Sequence, residues 1–234
     1  MTAAEVKSFL EQLNSEIRRE KASMLDAGIL NDIEAGMASR EQIGAWAKVF
    51  YAATRNGRFI LGNFYANSPD DPVVRRELAE NLFEEETGRI SGVNKCHMDV
   101  FLDFLQAFDV NPQQASELSA PVGQETPQGR VIAPEDFYVE LTAYGLSVEV
   151  PNAEYCQRIY QALKKNYGFS DHELTWFSMH AALDADHGEE FSQYAAKAAA
   201  SPSGLERLRE QTLALSDVVR QVWDGFGRWR ESPN

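Results

Sequence analysis

Cysteine is scarce in this chain, basic charge is in deficit, and long apolar runs are missing. Cys96 and Cys156 are the two cysteines, too few for a disulfide framework or a zinc knuckle. Both lie in helix-forming sequence, as reduced structural thiols of a cytoplasmic protein do. Lysine and arginine number 22 against 36 acidic residues, giving a formal net charge of −14. That deficit argues against nucleic acid and anionic membranes as partners, because both need a positive footprint. No stretch approaches the ~20 apolar residues that span a bilayer. The segment from Met1 to Arg19 mixes Glu, Lys and Arg with Leu and Phe, so a signal-peptide core is not expected there. Strand-like alternation between hairpin turns is missing too, which leaves an all-α chain.

What is present is helical periodicity throughout. With 234 residues, 44% of them hydrophobic, the expectation is a single domain over residues 1–234, a bundle of about seven or eight helices. Val6, Phe9, Leu10 and Leu13 mark the first stripe. A second helix is expected from Ser39 to about Tyr65, stopped by Ser68-Pro69-Asp70-Asp71-Pro72. A third carries Leu78 and Leu82 into the acidic run Glu84-Glu85-Glu86, and a fourth runs through His97, Phe101 and Phe104. Residues 110–133 are rich in Pro, Gln, Ser and Gly and are expected to form a long loop. Helix resumes near Pro134 and is expected to end at Pro151, with another from about Ala153 to Asn166. Ser170 with Glu173 reads as a capping box for a helix from Asp171 to about Ala199. A final stripe holds Leu205, Leu208, Leu215 and Val222.

Chemistry concentrates in the segment from Met179 to Gly188. His180, Asp184 and His187 share one face across two helical turns. The same stripe contains Trp176 and Phe191, residues typical of a core. A helix that buries this face buries three ionisable groups, and a metal ion is a common way to satisfy them. A solvated face on which three polar residues align by chance is the competing reading. Two of the chain's four histidines fall on the stripe, which favours metal. Other helices offer complementary donors. The run Glu84-Glu85-Glu86 ends one helix and His97 begins the next, while Glu149 sits at the end of the apolar segment Leu146 to Val150. Together these make three imidazoles and three carboxylates, a set suited to two iron ions inside a helix bundle.

The order Asn81-Leu82-x-Glu84-Glu85, His97, a glutamate near Val150-Pro151, then His180-x-x-x-Asp184-x-x-His187 resembles the haem-oxygenase-like diiron oxidases. These share their fold with haem oxygenase, TenA and PqqC, and the similarity spans about residues 20 to 195. The resemblance implies metal ligation by Glu85, His97, Glu149, His180, Asp184 and His187, with Glu86 as the alternative to Glu85. The family's central glutamate usually lies a full turn before the proline, where Ser147 stands here. Using Glu149 therefore requires a local shift of the helix, with Glu140 and Glu154 as poorer substitutes. Ala45 to Tyr65 contains no Asp or Glu, so a six-ligand protein set is expected.

What the resemblance implies functionally is a non-haem diiron oxidase with two Fe(II) ions and O₂ as co-substrate, although manganese suits the same ligand types. The substrate would be a small molecule, an amino acid or amino-acid-derived metabolite, undergoing desaturation, bond cleavage, N-oxygenation or nitrile formation in natural-product biosynthesis. An external electron donor is required, and a homodimer is compatible with the pattern. Phe50, Tyr51, Phe59, Phe64 and Tyr144 are candidate pocket residues. Arg55, Arg58, Arg89, Lys164 and Lys165 are candidate partners for a substrate carboxylate. Alternatives are a fatty-acid decarboxylating diiron oxidase, a metal-free TenA-like or PqqC-like enzyme on a heterocycle, and a metal-storing or interaction protein.

Overall fold

The computed structural model describes residues 2–118, 129–183, 187–201 and 203–225, the side chains of 187–190 and 224–225 excepted. Among these residues every regular element is helical. The helices are α1 (Ala3–Glu20), α2 (Gly28–Glu34), α3 (Arg40–Thr54), α4 (Gly57–Asn67), α5 (Pro72–Thr87) and α6 (His97–Gln106). They continue as α7 (Pro112–Glu117), α8 (Phe137–Tyr144), α9 (Val150–Tyr167), α10 (Thr175–Leu183), α11 (His187–Ala198) and α12 (Gly204–Gly225). A 3₁₀ turn, Met24–Asp26, follows α1, and a π turn, Gly145–Glu149, joins α8 to α9.

The segments outnumber the expected seven or eight helices because several long stretches are divided. The predicted helix from Ser39 to Tyr65 breaks between α3 and α4 at Arg55-Asn56. Asn-Gly at 56–57 supplies the reason, since both residues disfavour a helix interior and Asn56 makes no side-chain cap. The loop expected over 110–133 contains α7, capped reciprocally by Asn111 and Gln114, while residues 119–128 lie outside the described part. Ser170 and Glu173 do cap each other's backbone N–H groups, but regular helix begins only at Thr175.

The opposite error occurs at Pro151. A helix end is expected there, yet the chain runs on through the π turn into α9. Pro151 stands in the first turn of α9, immediately after the π turn, and it is this irregular turn that accommodates it. The π turn widens the helix by one residue just before it, with Val150 N–H reaching Gly145 O.

Among the described residues the buried side chains form two cores. One is aromatic and centred on Phe50, whose ring lies 4.7 Å from Trp223, 5.3 Å from Trp176 and 5.4 Å from Phe101. It gathers α2, α3, α6, α9 and α10. The other is mainly aliphatic and gathers α1, α5, α8 and α11, with Leu13, Val74, Leu78, Val139 and Leu208 among its buried residues. Alpha-helix α12 packs on α8 and also against the 3₁₀ turn and α2, so it touches both cores.

Candidate metal centre and adjoining cavity

Helix α5 carries Val74 and Leu78 into the aliphatic core. Glu85 lies seven residues after Leu78, so it continues the same inward stripe. Gly88 then ends α5 in the left-handed conformation, φ 57°, and its N–H bonds Glu84 O. A Cβ at Gly88 would meet Lys95 O and Val93 at 2.4 Å, so the short return to α6 depends on glycine. That return places His97 at the first position of α6, almost fully buried.

Glu85, His97 and His180 converge: one donor atom from each falls within a 4.8 Å cluster. Glu85 Oε1 lies 3.0 Å from His97 Nδ1 and 3.8 Å from His180 Nε2. The two imidazole rings stand edge to face with centroids 4.9 Å apart. Burial pushes the Glu85 carboxyl up, but the two imidazoles of His180 and His97 more than reverse this and hold it at about 2.

The outer nitrogens of both rings are already engaged. His180 Nδ1 faces the Trp176 carbonyl at 2.8 Å, an acceptor only, so Nδ1 carries the proton and donates it. Its Nε2 is thereby left toward Glu85. Trp176 also stacks on the His180 ring, with centroids 3.9 Å apart. On His97, Nε2 lies 3.0 Å from Glu84 Oε1. Glu84 is itself fixed, accepting the Ile90 N–H at 2.6 Å and the Ser91 N–H at 3.1 Å. Burial pushes the Glu84 carboxyl up, and the bonds from Ser91, His97 and the loop backbone bring it below the usual range. A carboxylate behind one nitrogen and a carbonyl behind the other orient both rings so that His97 Nδ1 and His180 Nε2 face Glu85. That is the arrangement by which metal-bound histidines are held, and the donor set fits iron.

Glu86, the alternative to Glu85, points away and pairs with Arg58 at 3.4 Å. Glu140 pairs with Arg130 and Glu154 with Arg158. Glu149 lines the same cavity as Glu85 and His180. The π turn lies at this point, and Ser147 within it faces α12, donating to Thr212 O at 3.1 Å and accepting from Ser216. Asp184 lies outside the described residues. His187 opens α11, but its side chain is also outside them. Within the acidic run, the pairing of Glu84 with His97 Nε2 is not apparent from the sequence. Its one signal is the place of Glu84 in a three-glutamate run immediately before a turn glycine, where a solvated explanation is always available.

The cavity measures about 320 Å³ and lies between the α3–α4 break, the start of α9, α10 and α12. Of the expected aromatic lining, Tyr144 is present. Phe50 and Phe64 are core residues, Tyr51 packs against Phe101, and Phe59 lies at the surface under Arg58. Both thiols are free, Cys156 buried and Cys96 partly so. No helix among the described residues is long and apolar enough to cross a membrane.

The all-helical fold is haem-oxygenase-like. A crystal structure from Shewanella denitrificans, of a domain of unknown function with a haem-oxygenase-like fold, superposes with a TM-score of 0.67 over 96% of each chain at 14% identity. The chain belongs to the family of iron-containing redox enzymes, whose family model matches residues 45–219. It is also 26% identical over 187 residues to a 4-aminobenzoate synthase of Chlamydia pneumoniae, covering 78% of this chain and 79% of that one.

Proposed function

We propose that this protein is an O₂-dependent non-haem diiron oxidoreductase that oxidises a small organic substrate in a biosynthetic pathway. The observation that carries this reading is the convergence of half-buried Glu85 with buried His97 and His180, the outer nitrogens of the two imidazoles being already bonded. Glu149 from the cavity wall, with Asp184 and His187 from the sequence that follows His180, would complete a six-ligand set. Bound iron would supply the electrons that activate O₂. The chain's own residues do the rest. Glu84 and the Trp176 carbonyl hold the two imidazoles in their ligating tautomers. The α3–α4 break opens room beside them, and the aromatic core behind Trp176 keeps water from that side.

The Chlamydia pneumoniae relative is named a synthase, and a biosynthetic oxidation is the role assigned here by that likeness. A reductant from outside the chain restores the iron, and the unit is a soluble cytoplasmic protein. The test is anaerobic Fe(II) titration of the apoprotein followed by O₂ exposure, beside a His187→Ala control. Two iron equivalents with O₂ uptake, lost in the variant, are expected. No iron binding, and a variant that behaves like the parent, would remove the proposal.

A further inference from the structure

Trp176 occupies a place in the site that the ligand set does not explain. It stands four residues before His180 on α10, so the two side chains share one helix face. Their rings stack with centroids 3.9 Å apart and an angle of 31° between planes. The Trp176 carbonyl accepts the Nδ1–H of the same imidazole at 2.8 Å, so residue and ligand are held together twice. The indole is buried, and it also lines the cavity in which Glu85 and His180 stand.

The surroundings of the ring suit a one-electron donor. Phe50, Phe101 and Phe177 stand nearly perpendicular to it, with centroids 5.2–5.3 Å away. Phenyl rings give up an electron far less readily than indole, so an electron vacancy on Trp176 stays there. The Glu85 carboxylate, 3.8 Å from His180 Nε2, favours positive charge nearby in this water-poor setting. Trp176 Nε1 is buried with no hydrogen-bond partner among the described residues, so its proton stays when an electron leaves.

We propose that Trp176 is a one-electron relay, which supplies an electron through the His180 ring when the oxidised centre meets no substrate. This rests on the diiron reading of the site. Reducing O₂ to two waters takes four electrons and four protons, and two ferrous ions supply two of the electrons. With substrate in the cavity, the bond being oxidised supplies the other two. With the cavity empty, Trp176 supplies one and becomes an indole radical cation with its N–H intact. The external one-electron reductant supplies the last, and then one more that restores Trp176. The O–O bond breaks, four O–H bonds form with protons from solvent, and the indole is returned unchanged. Trp176 acts through His180, so it is a positioning residue and not a ligand.

The test follows the radical and not turnover. Protein grown on ordinary or indole-deuterated tryptophan is loaded anaerobically with Fe(II), its iron content is measured, and it is exposed to O₂ without substrate. Samples frozen at successive times are read by electron paramagnetic resonance, and peptide mass spectrometry locates added oxygen. The expected result is a radical narrowed by the deuterium, with oxygen added at Trp176 that ascorbate suppresses. Trp176→Phe keeps a ring beside His180 but loses the radical. Trp46→Phe, a change of the same kind in the fully buried aromatic core, keeps it. If circular dichroism shows that Trp176→Phe does not fold, Trp176→Tyr takes its place, and tryptophan deuteration should then narrow nothing. Iron bound and O₂ consumed, with neither a tryptophan radical nor oxidised Trp176, would overturn the inference and leave the diiron reading standing. A tryptophan radical that survives substitution of Trp176 would do the same. Failure to bind iron at all would remove both.

Discussion

The aromatic core and the aliphatic core stabilise the chain in similar ways but stand differently toward the candidate site. In the aromatic core, Phe50 supports Trp176, and Trp176 both stacks on His180 and accepts its Nδ1–H. Packing there is also ligand positioning. In the aliphatic core, residues such as Leu208 fill space between α8, α11 and α12. The cluster lies at the seam: Glu84 and Glu85 come from α5, rooted in the aliphatic core, while His97 and His180 come from α6 and α10, rooted in the aromatic one. The difference teaches that loss of stability and loss of metal need not travel together.

The largest effect should come from Phe50→Ala. Removing a fully buried ring costs about 3–5 kcal/mol, and we expect Fe(II) affinity to fall with it. Leu208→Ala should cost about 2–4 kcal/mol while leaving Fe(II) affinity of the folded protein unchanged. Denaturant melts paired with metal titrations check both; equal effects on affinity would erase the distinction between the cores.

The seam itself can be tested at Gly145. A Cβ there would lie 2.0 Å from the Phe191 ring, so Gly145→Ala must push apart α11 and the π turn that carries Glu149. A destabilisation of about 1–3 kcal/mol is expected, together with a weakened second metal equivalent in the Fe(II) titration.

Glu84→Gln should be milder for folding and sharper for metal. Gln can still accept a hydrogen bond, but it no longer presents a carboxylate to His97 Nε2. Metal affinity should fall about 10–100-fold, the usual effect of removing such a partner. Co(II) titration followed by its visible absorption reads this directly, and Glu84→Asp should recover part of it.

The smallest effect is far from the seam. Asp71 caps α5, bonds Tyr138 Oη at 2.7 Å and pairs with Lys197 on α11. Lys197 and Tyr138 hold its carboxyl well below the usual range. Its folded pKa is depressed, so its stabilisation is complete above the ordinary carboxylate pKa of about 4 and fades as pH falls below that. Asp71→Asn should therefore cost about 1–2 kcal/mol at pH 7, with the gap from the parent narrowing in acid melts and Fe(II) affinity unaffected.

Much of this was legible because it was periodic. The Leu78 and Leu82 spacing that leads into the acidic run, the Ser170–Glu173 box and the all-α class follow from spacing alone. The chain's breaks were less so. Asn56-Gly57 is a turn signal hidden inside an apolar run, and Pro151 reads as a stop unless a π turn is foreseen. Sequence spacing also places Glu85 near a histidine, but which nitrogen of His97 is engaged depends on Glu84 and on the loop N–H groups of Ile90 and Ser91. Those contacts exist only once α5 and α6 are folded back on each other.

The most direct measurement is anomalous diffraction at the iron edge from crystals soaked anaerobically in Fe(II). The account predicts a metal peak bound by Glu85, by His97 through Nδ1 and by His180 through Nε2, with Glu84 still on His97 Nε2. A peak elsewhere, or iron bound through Glu84 and His97 Nε2, would contradict it.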